Sequence, residues 1–156
     1  MQKITTFLWY DNQAEEAVKL YTSIFKNSKI TGTSRYGDAG PGAPGAVMTV
    51  NFELEGQQFI ALNGGPLFKF TEAISLYVDC ETQAEVDELW EKLSAGGQKS
   101  RCGWLKDKYG LSWQIIPSIL GKLLGDADRA KAGRVMQAML QMDKIDIAKL
   151  KKAANA

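Results

Sequence analysis

The sequence contains no histidine. Histidine is the commonest metal ligand and the usual general base near neutral pH. Its absence excludes Ser-His and Cys-His nucleophile pairs and every His-based zinc site. A metal would have to be held by carboxylates, thiolates or amides, and a proton would have to be moved by Asp, Glu, Tyr, Lys or Cys. Cysteine is scarce too: Cys80 and Cys102 lie far apart and outside any C-x-x-C spacing. The start, MQKITTFLWYDN, carries no signal-peptide core, so the two thiols are expected to be reduced in a cytoplasmic protein. No stretch approaches ~20 uninterrupted apolar residues, so no membrane association is expected. An excess of one charge sign is also missing. The 19 Lys+Arg against 18 Asp+Glu leave a net +1, which gives no electrostatic footprint for nucleic acid.

What remains is a chain with enough apolar residues, 45% of 156, to bury a core as one ordinary domain or two small modules. KITTFLWY, 3–10, reads as a strand. Asp11 or Asn12 offers an N-cap, with Glu15 and Glu16 in the first turn, for a helix to about Phe25. Ala14, Ala17, Leu20, Tyr21, Ile24 and Phe25 form its apolar face. A strand over 29–36 and a Gly/Pro loop, GDAGPGAPG, follow. VMTVNFEL and QQFIALN pair as a hairpin across Glu55-Gly56. The order then repeats. AISLYVDC, 73–80, is a strand, and Thr82 caps a helix through about Ala95 that ends at Gly96-Gly97. Val86, Leu89, Trp90 and Leu93 line its inner face, and a shift of 69 positions places Ala17, Leu20, Tyr21 and Ile24 onto them. Short strands near 98–105 and 110–116 join across Asp107–Gly110. Two strand–helix–strand–strand–strand units are therefore expected. After Pro117 the pattern turns helical, with Asp126 or Asp128 as a cap. Val135, Met136, Met139, Leu140 and Met142 make a Met-rich stripe suited to the chain's own core, a partner subunit or an adaptable binding surface.

Several runs carry a resemblance: FLWYDNQAEEAVKLYTSIF (7–25), FIALNGGPLFKF (59–70), ISLYVDCETQAEVDELW (74–90) and CGWLKDKYGLSWQIIP (102–117), with the tail RVMQAMLQMDKIDIAKL. Through them the chain resembles the vicinal oxygen chelate superfamily of glyoxalase, bleomycin-resistance and extradiol dioxygenase proteins. It is most similar to the PhnB-like branch, often labelled demethylubiquinone methyltransferase. The resemblance implies an α+β fold: two paired β-α-β-β-β modules forming a curled mixed sheet around a cleft, with a C-terminal helical extension. Module one is 1–70, module two 71–117, and the tail 118–156 packs on the domain or across a dimer. It also implies a homodimer. Metal-dependent members place His or Glu on the first and last strands of each module. The matching positions here fall near Thr6, Ala61 or Asn63, Ala73 or Ile74, and Gln114. Thr, Ala and Ile cannot replace His and Glu, and a single amide cannot hold a divalent ion against water, so no metal and no cofactor are expected.

The cleft candidates are mostly aromatic: Phe7, Trp9, Phe68, Phe70, Trp104 and Trp113. An aromatic-walled pocket with a few polar groups is the usual form of a small-molecule site. Trp113 and Gln114 must point to opposite faces of a regular strand, so if Gln114 lines the cleft Trp113 packs behind it. Gln114 either presents its amide to a ligand or satisfies a neighbouring strand. Asn63 is a candidate to orient a ligand, and ALNGGP, 61–66, offers backbone amides to an anion or simply turns the chain. Asp79, Asp107, Tyr77 and Tyr109 are candidate acid/base groups, though nothing in their spacing pairs them. Cys102 is a reactive thiol or a small buried one. GDAGPGAPG precedes a strand, not a helix, which excludes a phosphate-cradling loop and favours a floppy or lid-like one. The acidic-Gly-x-Gly turn of a methyltransferase cofactor site is missing, as is the alternation of a doubly wound sheet. Three functions fit. The first is a metal-free module binding a small organic molecule through Gln114, Asn63, Thr6, Trp9, Phe68 and Trp104. The second is a lyase, isomerase or transferase with a degenerate metal site. The third is a ligand-free oligomeric scaffold.

Overall fold

The computed structural model describes residues 2–156, which form two compact units, 2–70 and Thr71–Ala156. In the first, β1 (Thr6–Tyr10), α1 (Ala14–Ile24), β2 (Ser28–Arg35), β3 (Val47–Leu54) and β4 (Gln57–Asn63) follow in chain order. They make a four-stranded sheet ordered β1-β4-β3-β2. β1 runs parallel to β4 and the other pairs are antiparallel. The β3–β4 turn is the expected one. Glu55 and Gly56 both hold positive φ (49° and 84°), as a two-residue hairpin turn of matching twist demands.

Alternation along the strands places Leu8, Tyr10, Val50, Phe52, Phe59 and Ala61 on the face that α1 covers. There Tyr10 and Tyr21 share a hydrogen bond between their hydroxyls (3.0 Å), and Phe52 stacks on Phe59 at 5.2 Å. Ala14, Ala17, Val18 and Tyr21 are the buried positions of α1. The helix is thus rotated from the expected stripe. Val18 is fully buried while Leu20 and Ile24 lie half-buried on the flank. The N-cap also differs. Gln13, not Asp11 or Asn12, holds that position and makes no side-chain cap bond. The free amide of Ala14 instead donates to Asn63 Oδ1 (2.8 Å), a cap supplied from the far end of the module.

The second unit repeats the order with β5 (Ser75–Cys80), α2 (Gln83–Ser94), β6 (Gln98–Lys99), β7 (Trp104–Lys106) and β8 (Ser112–Pro117). Its sheet order is β5-β8-β7-β6 with β5 parallel to β8, the same topology as the first. Thr82 caps α2 as expected, its hydroxyl accepting from Glu85 N at 3.2 Å. Val86, Leu89, Trp90 and Leu93 are all buried. Leu105, Trp113 and Ile115 are fully buried on one face of the sheet. Gly97 is required where β6 begins, since a Cβ there would sit 2.1 Å from Lys106 O.

The tail forms α3 (Ser118–Leu124), α4 (Arg129–Leu140, capped by Asp128) and α5 (Ile147–Ala154, capped by Asp146). It packs within this second unit. Ile116, Leu120, Val135, Met142, Ile145, Leu150 and Ala154 form one buried cluster. Both amide functions of Gln83 bind the tail backbone, Nε2 donating to Ile145 O (3.0 Å) and Oε1 accepting from Ile147 N (2.8 Å). The Met stripe is divided: Val135 and Met142 enter the cluster, Met139 lies against it, and Met136 and Leu140 stay exposed. None of the described helices is long and apolar enough to cross a membrane.

Candidate functional site

The sheet of the second unit has one face against α2 and one away from it. The strand register fixes the membership of the latter. Gln114 pairs with Trp104 on one side and Tyr77 on the other, and Ser112 pairs with Lys106 and Ser75. These six side chains therefore share the face opposite Trp113 and Leu105. It is a polar face, unlike its reverse. A groove of about 530 Å³ runs along it, lined among others by Glu72, Gln98, Trp104, Lys106 and Ser112. Lys106 Nζ is paired with Glu72 Oε1. Gln114 Nε2 donates to Ser75 Oγ (2.9 Å), which leaves Oε1 as an acceptor. Tyr77 is 58% exposed, and burial of the remainder, with the charges of Asp79 and Cys80, raises its pKa. Ser112 is the exception. It is 1% exposed and its Oγ has no hydrogen-bond partner among the described residues.

The other sequence candidates in this unit are engaged by the fold. Asp107 is 2% exposed and accepts from Tyr109 N (2.9 Å), Leu111 N (3.1 Å) and Trp113 Nε1 (3.0 Å). It builds the β7–β8 turn. Asp79 accepts from Ser118 Oγ (2.7 Å) at the start of α3. Trp113 is buried behind Gln114, as strand alternation requires. Cys102 holds a positive φ of 57°. Its amide donates to Met142 O (2.8 Å) and its thiol to Met139 O (3.6 Å), so it anchors the tail.

In the first unit the expected site residues fall on both faces of the sheet. Thr6 and Asn63 share the parity of Leu8, Tyr10 and the buried Ala61, the α1 side. The opposite face carries Phe7, Trp9, Ile60 and Leu62. A one-residue slip exchanges the two faces of a strand, and in a strand written TTFLWY neither parity is more polar. Asn63 is engaged at both ends of its amide, Oδ1 on Ala14 N and Nδ2 donating to Val47 O (3.1 Å). Its amide caps α1 and ties the end of β4 to the start of β3. Nor does ALNGGP offer amides to an anion, because Gly64 N donates to Tyr10 O (2.9 Å) and Gly65 N to Asp11 O (3.1 Å). Trp9 Nε1 donates to Gly65 O (2.9 Å), the Trp9 indole meets Phe68 edge-on at 4.9 Å, and Phe70 meets Tyr10 at 5.2 Å. The Gly/Pro loop is folded over Tyr36, with Tyr36 N bonded to Ala46 O and Gly45 N to Tyr36 O. A second groove of about 530 Å³ lies between this loop and Asn63–Pro66.

A divalent metal does not fit these residues. Asn63 is bonded through both ends of its amide, Gln114 offers a single neutral amide oxygen, Thr6 and Ala61 face α1, and no group of three or more Cys, Asp or Glu among the described residues could hold an ion. A nucleotide-type methyl donor fits no better. The β1–α1 and β5–α2 turns read DNQ and ET and contain no glycine to bring backbone close to a ligand.

Comparison with known proteins is decided by one match. The model of the 3-demethylubiquinone-9 3-methyltransferase family covers residues 2–116. The chain belongs to this family. A Bacillus cereus PhnB protein, described as a candidate 3-demethylubiquinone-9 3-methyltransferase, is 44% identical, with a TM-score of 0.68 over 74% of this chain and 99% of its own. A Pseudomonas aeruginosa protein shares the fold at 17% identity, with a TM-score of 0.63 over 75% and 98% of the two chains. A glyoxylase/bleomycin resistance protein/dioxygenase domain from Frankia is 16% identical over 75% and 92%, with a TM-score of 0.46. None of the curated proteins matches the chain. The PhnB-like match ends at residue 116, so the tail lies beyond it.

Proposed function

We propose that this PhnB-like protein binds a small organic molecule on the face of its second sheet that points away from α2, between Ser112, Gln114, Lys106 and Trp104. Recognition is non-covalent and draws on no metal held by the chain's own side chains. The observation that carries the reading is Ser112. A hydroxyl buried without a partner costs about 1–3 kcal/mol, and this one lines a groove whose other walls include the Trp104 indole and the Lys106 ammonium. A bound molecule with one polar end would satisfy Ser112 and cover Trp104. The enzymatic alternative has less support, since Asp107 and Asp79 both hold turns or helix starts.

Titration of the ¹⁵N-labelled chain with neutral aromatic fragments, indole and benzamide, tests this directly. The expected result is a shared set of shifts at the Ser112 amide, the Gln114 side-chain amide and the Trp104 indole N–H. Fragments that bind but leave all three signals in place would refute the site. Homodimer assembly belongs to the same proposal and is supported by the exposed Phe7, Leu67 and Phe68. Native mass spectrometry showing only monomer at micromolar chain would remove it.

A further inference from the structure

The groove on the second sheet holds a fixed cation and a replaceable anion. Lys106 projects from β7, where its backbone pairs with both Ser112 and Gln98. Its position is set by two ladders. Glu72, its ion-pair partner, comes from the 64–74 segment, which contains neither helix nor strand. Arg101, the other cation of the groove, is already committed to Asp143 Oδ1 (3.3 Å) and Leu140 O (2.9 Å). The ammonium with an exchangeable partner is therefore Lys106, and it stands directly across the strand pair from the unpartnered Ser112 hydroxyl.

Resting on the site proposed above, we propose that its ligand is a small organic carboxylate with a flat apolar body, and that Glu72 occupies the carboxylate's place on Lys106 until the ligand displaces it. The ligand's oxygens would take the Lys106 ammonium and the Ser112 O–H, the two donors of one cross-strand pair. Its body would lie on the Trp104 indole, next along the same face. The hydrogen bond from Lys106 is the largest of the influences that hold the Glu72 carboxyl below its usual range, followed by its own backbone amide and the Lys106 charge. An anionic group is thus already stabilised at this point. An exposed pair of this kind is weak, so a carboxylate that also gains Ser112 and the indole can replace it.

Benzoate and benzamide are the probes, because they share size and ring and differ in charge. Binding is followed by chemical shifts of Ser112 and the Trp104 indole N–H in the full chain. Benzoate is expected to bind about tenfold more tightly than benzamide, as a charge-assisted contact requires. Glu72→Gln should tighten benzoate by about threefold and leave benzamide unchanged, because only the internal competitor is removed. Lys106→Met should abolish the preference, and Ser112→Ala should weaken both probes. Equal binding of the two probes at Ser112, or a Glu72→Gln chain that binds benzoate no better, would overturn the carboxylate assignment while leaving the binding face intact. Shifts confined to other residues would overturn the face itself, and the assignment with it.

Discussion

Asp107→Asn separates the structural role of this carboxylate from a chemical one. The wild-type side chain is 2% exposed and accepts from the Tyr109 and Leu111 amides at Oδ1 and from the Trp113 indole at Oδ2. Asparagine keeps the shape and one acceptor oxygen. If that oxygen serves the two backbone amides, the new –NH2 faces Trp113 Nε1–H, donor against donor. A bond to a charged acceptor contributes about 1.5–3 kcal/mol, and a buried donor left unpaired costs about 1–3 kcal/mol. Part of this is recovered by relaxation, so a loss of about 2–4 kcal/mol is expected, a large share of an ordinary domain's stability. Asp107→Ala removes these bonds and should cost about 1 kcal/mol more. Urea unfolding followed by far-ultraviolet circular dichroism reads the loss without depending on tryptophan emission. The decisive step is a double-mutant cycle. In a Trp113→Phe background there is no indole N–H to strand, so Asp107→Asn should cost less by about 1–2 kcal/mol. A single-mutant loss below about 0.5 kcal/mol, within the range of ordinary surface changes, or a coupling of zero, would refute the account. Fragment shifts at Ser112 should survive in the folded variant, which they would not if Asp107 served the ligand.

Three further outcomes follow from the geometry. Gly97→Ala should destabilise by about 3 kcal/mol or more, because its Cβ would lie 2.1 Å from Lys106 O and backbone has to move; a urea midpoint near wild type would contradict it. Cys80 should resist thiol labelling in the native chain at mildly alkaline pH and react only on unfolding, since burial, with the Glu85 and Asp79 charges, pushes its thiol up to about 12; mass-resolved alkylation tells it apart from Cys102. Asp87 is held below its usual range by the Gln83 side-chain amide first and then by Lys144, 2.9 Å away. A depressed folded value means that its contribution is present above the unfolded pKa and lost as pH falls through the folded one. Asp87→Asn should therefore cost no more than about 1 kcal/mol at neutral pH, and the difference from wild type should close in acid below the carboxylate range. A gap that widened in acid would refute the sign.

The elements were legible wherever their determinants are local. The Glu55-Gly56 turn, the Thr82 cap and the Val86–Leu93 face each depend on residues within a few positions of one another, and each stands where the sequence places it. What escaped depends on partners distant in sequence. The cap of α1 is contributed by Asn63, 49 residues away, so Asp11 and Asn12 looked better qualified. The parity of β1 cannot be read from TTFLWY, whose apolar residues fall on both faces, and Thr6 is a candidate only through its match to a ligand position of the family. The sequence does carry a signal for Ser112, which is two residues before Gln114 in one strand and must share its face. A serine at a position where the strand is otherwise buried is the kind of polar interior group that asks for a partner.

The two modules share a topology but differ on the faces their helices leave uncovered. Along β1 and β4 of the first, that face is Phe7, Trp9, Ile60 and Leu62. Along β5, β8 and β7 of the second it is Ser75, Tyr77, Ser112, Gln114, Trp104 and Lys106. Apolar surface supplies affinity with little discrimination, whereas buried donors and acceptors discriminate because a wrong ligand leaves them unpaired. The repeat has therefore diverged in chemistry while keeping its backbone. In the second module the polar groups are set by strand pairing, not by loops, so their spacing changes only if the sheet does. That is why Gln114 matters even with its Nε2 engaged by Ser75. The bond fixes the amide plane, and in the proposed site a fixed Oε1 two residues along the strand from Ser112 would meet a ligand with little further ordering.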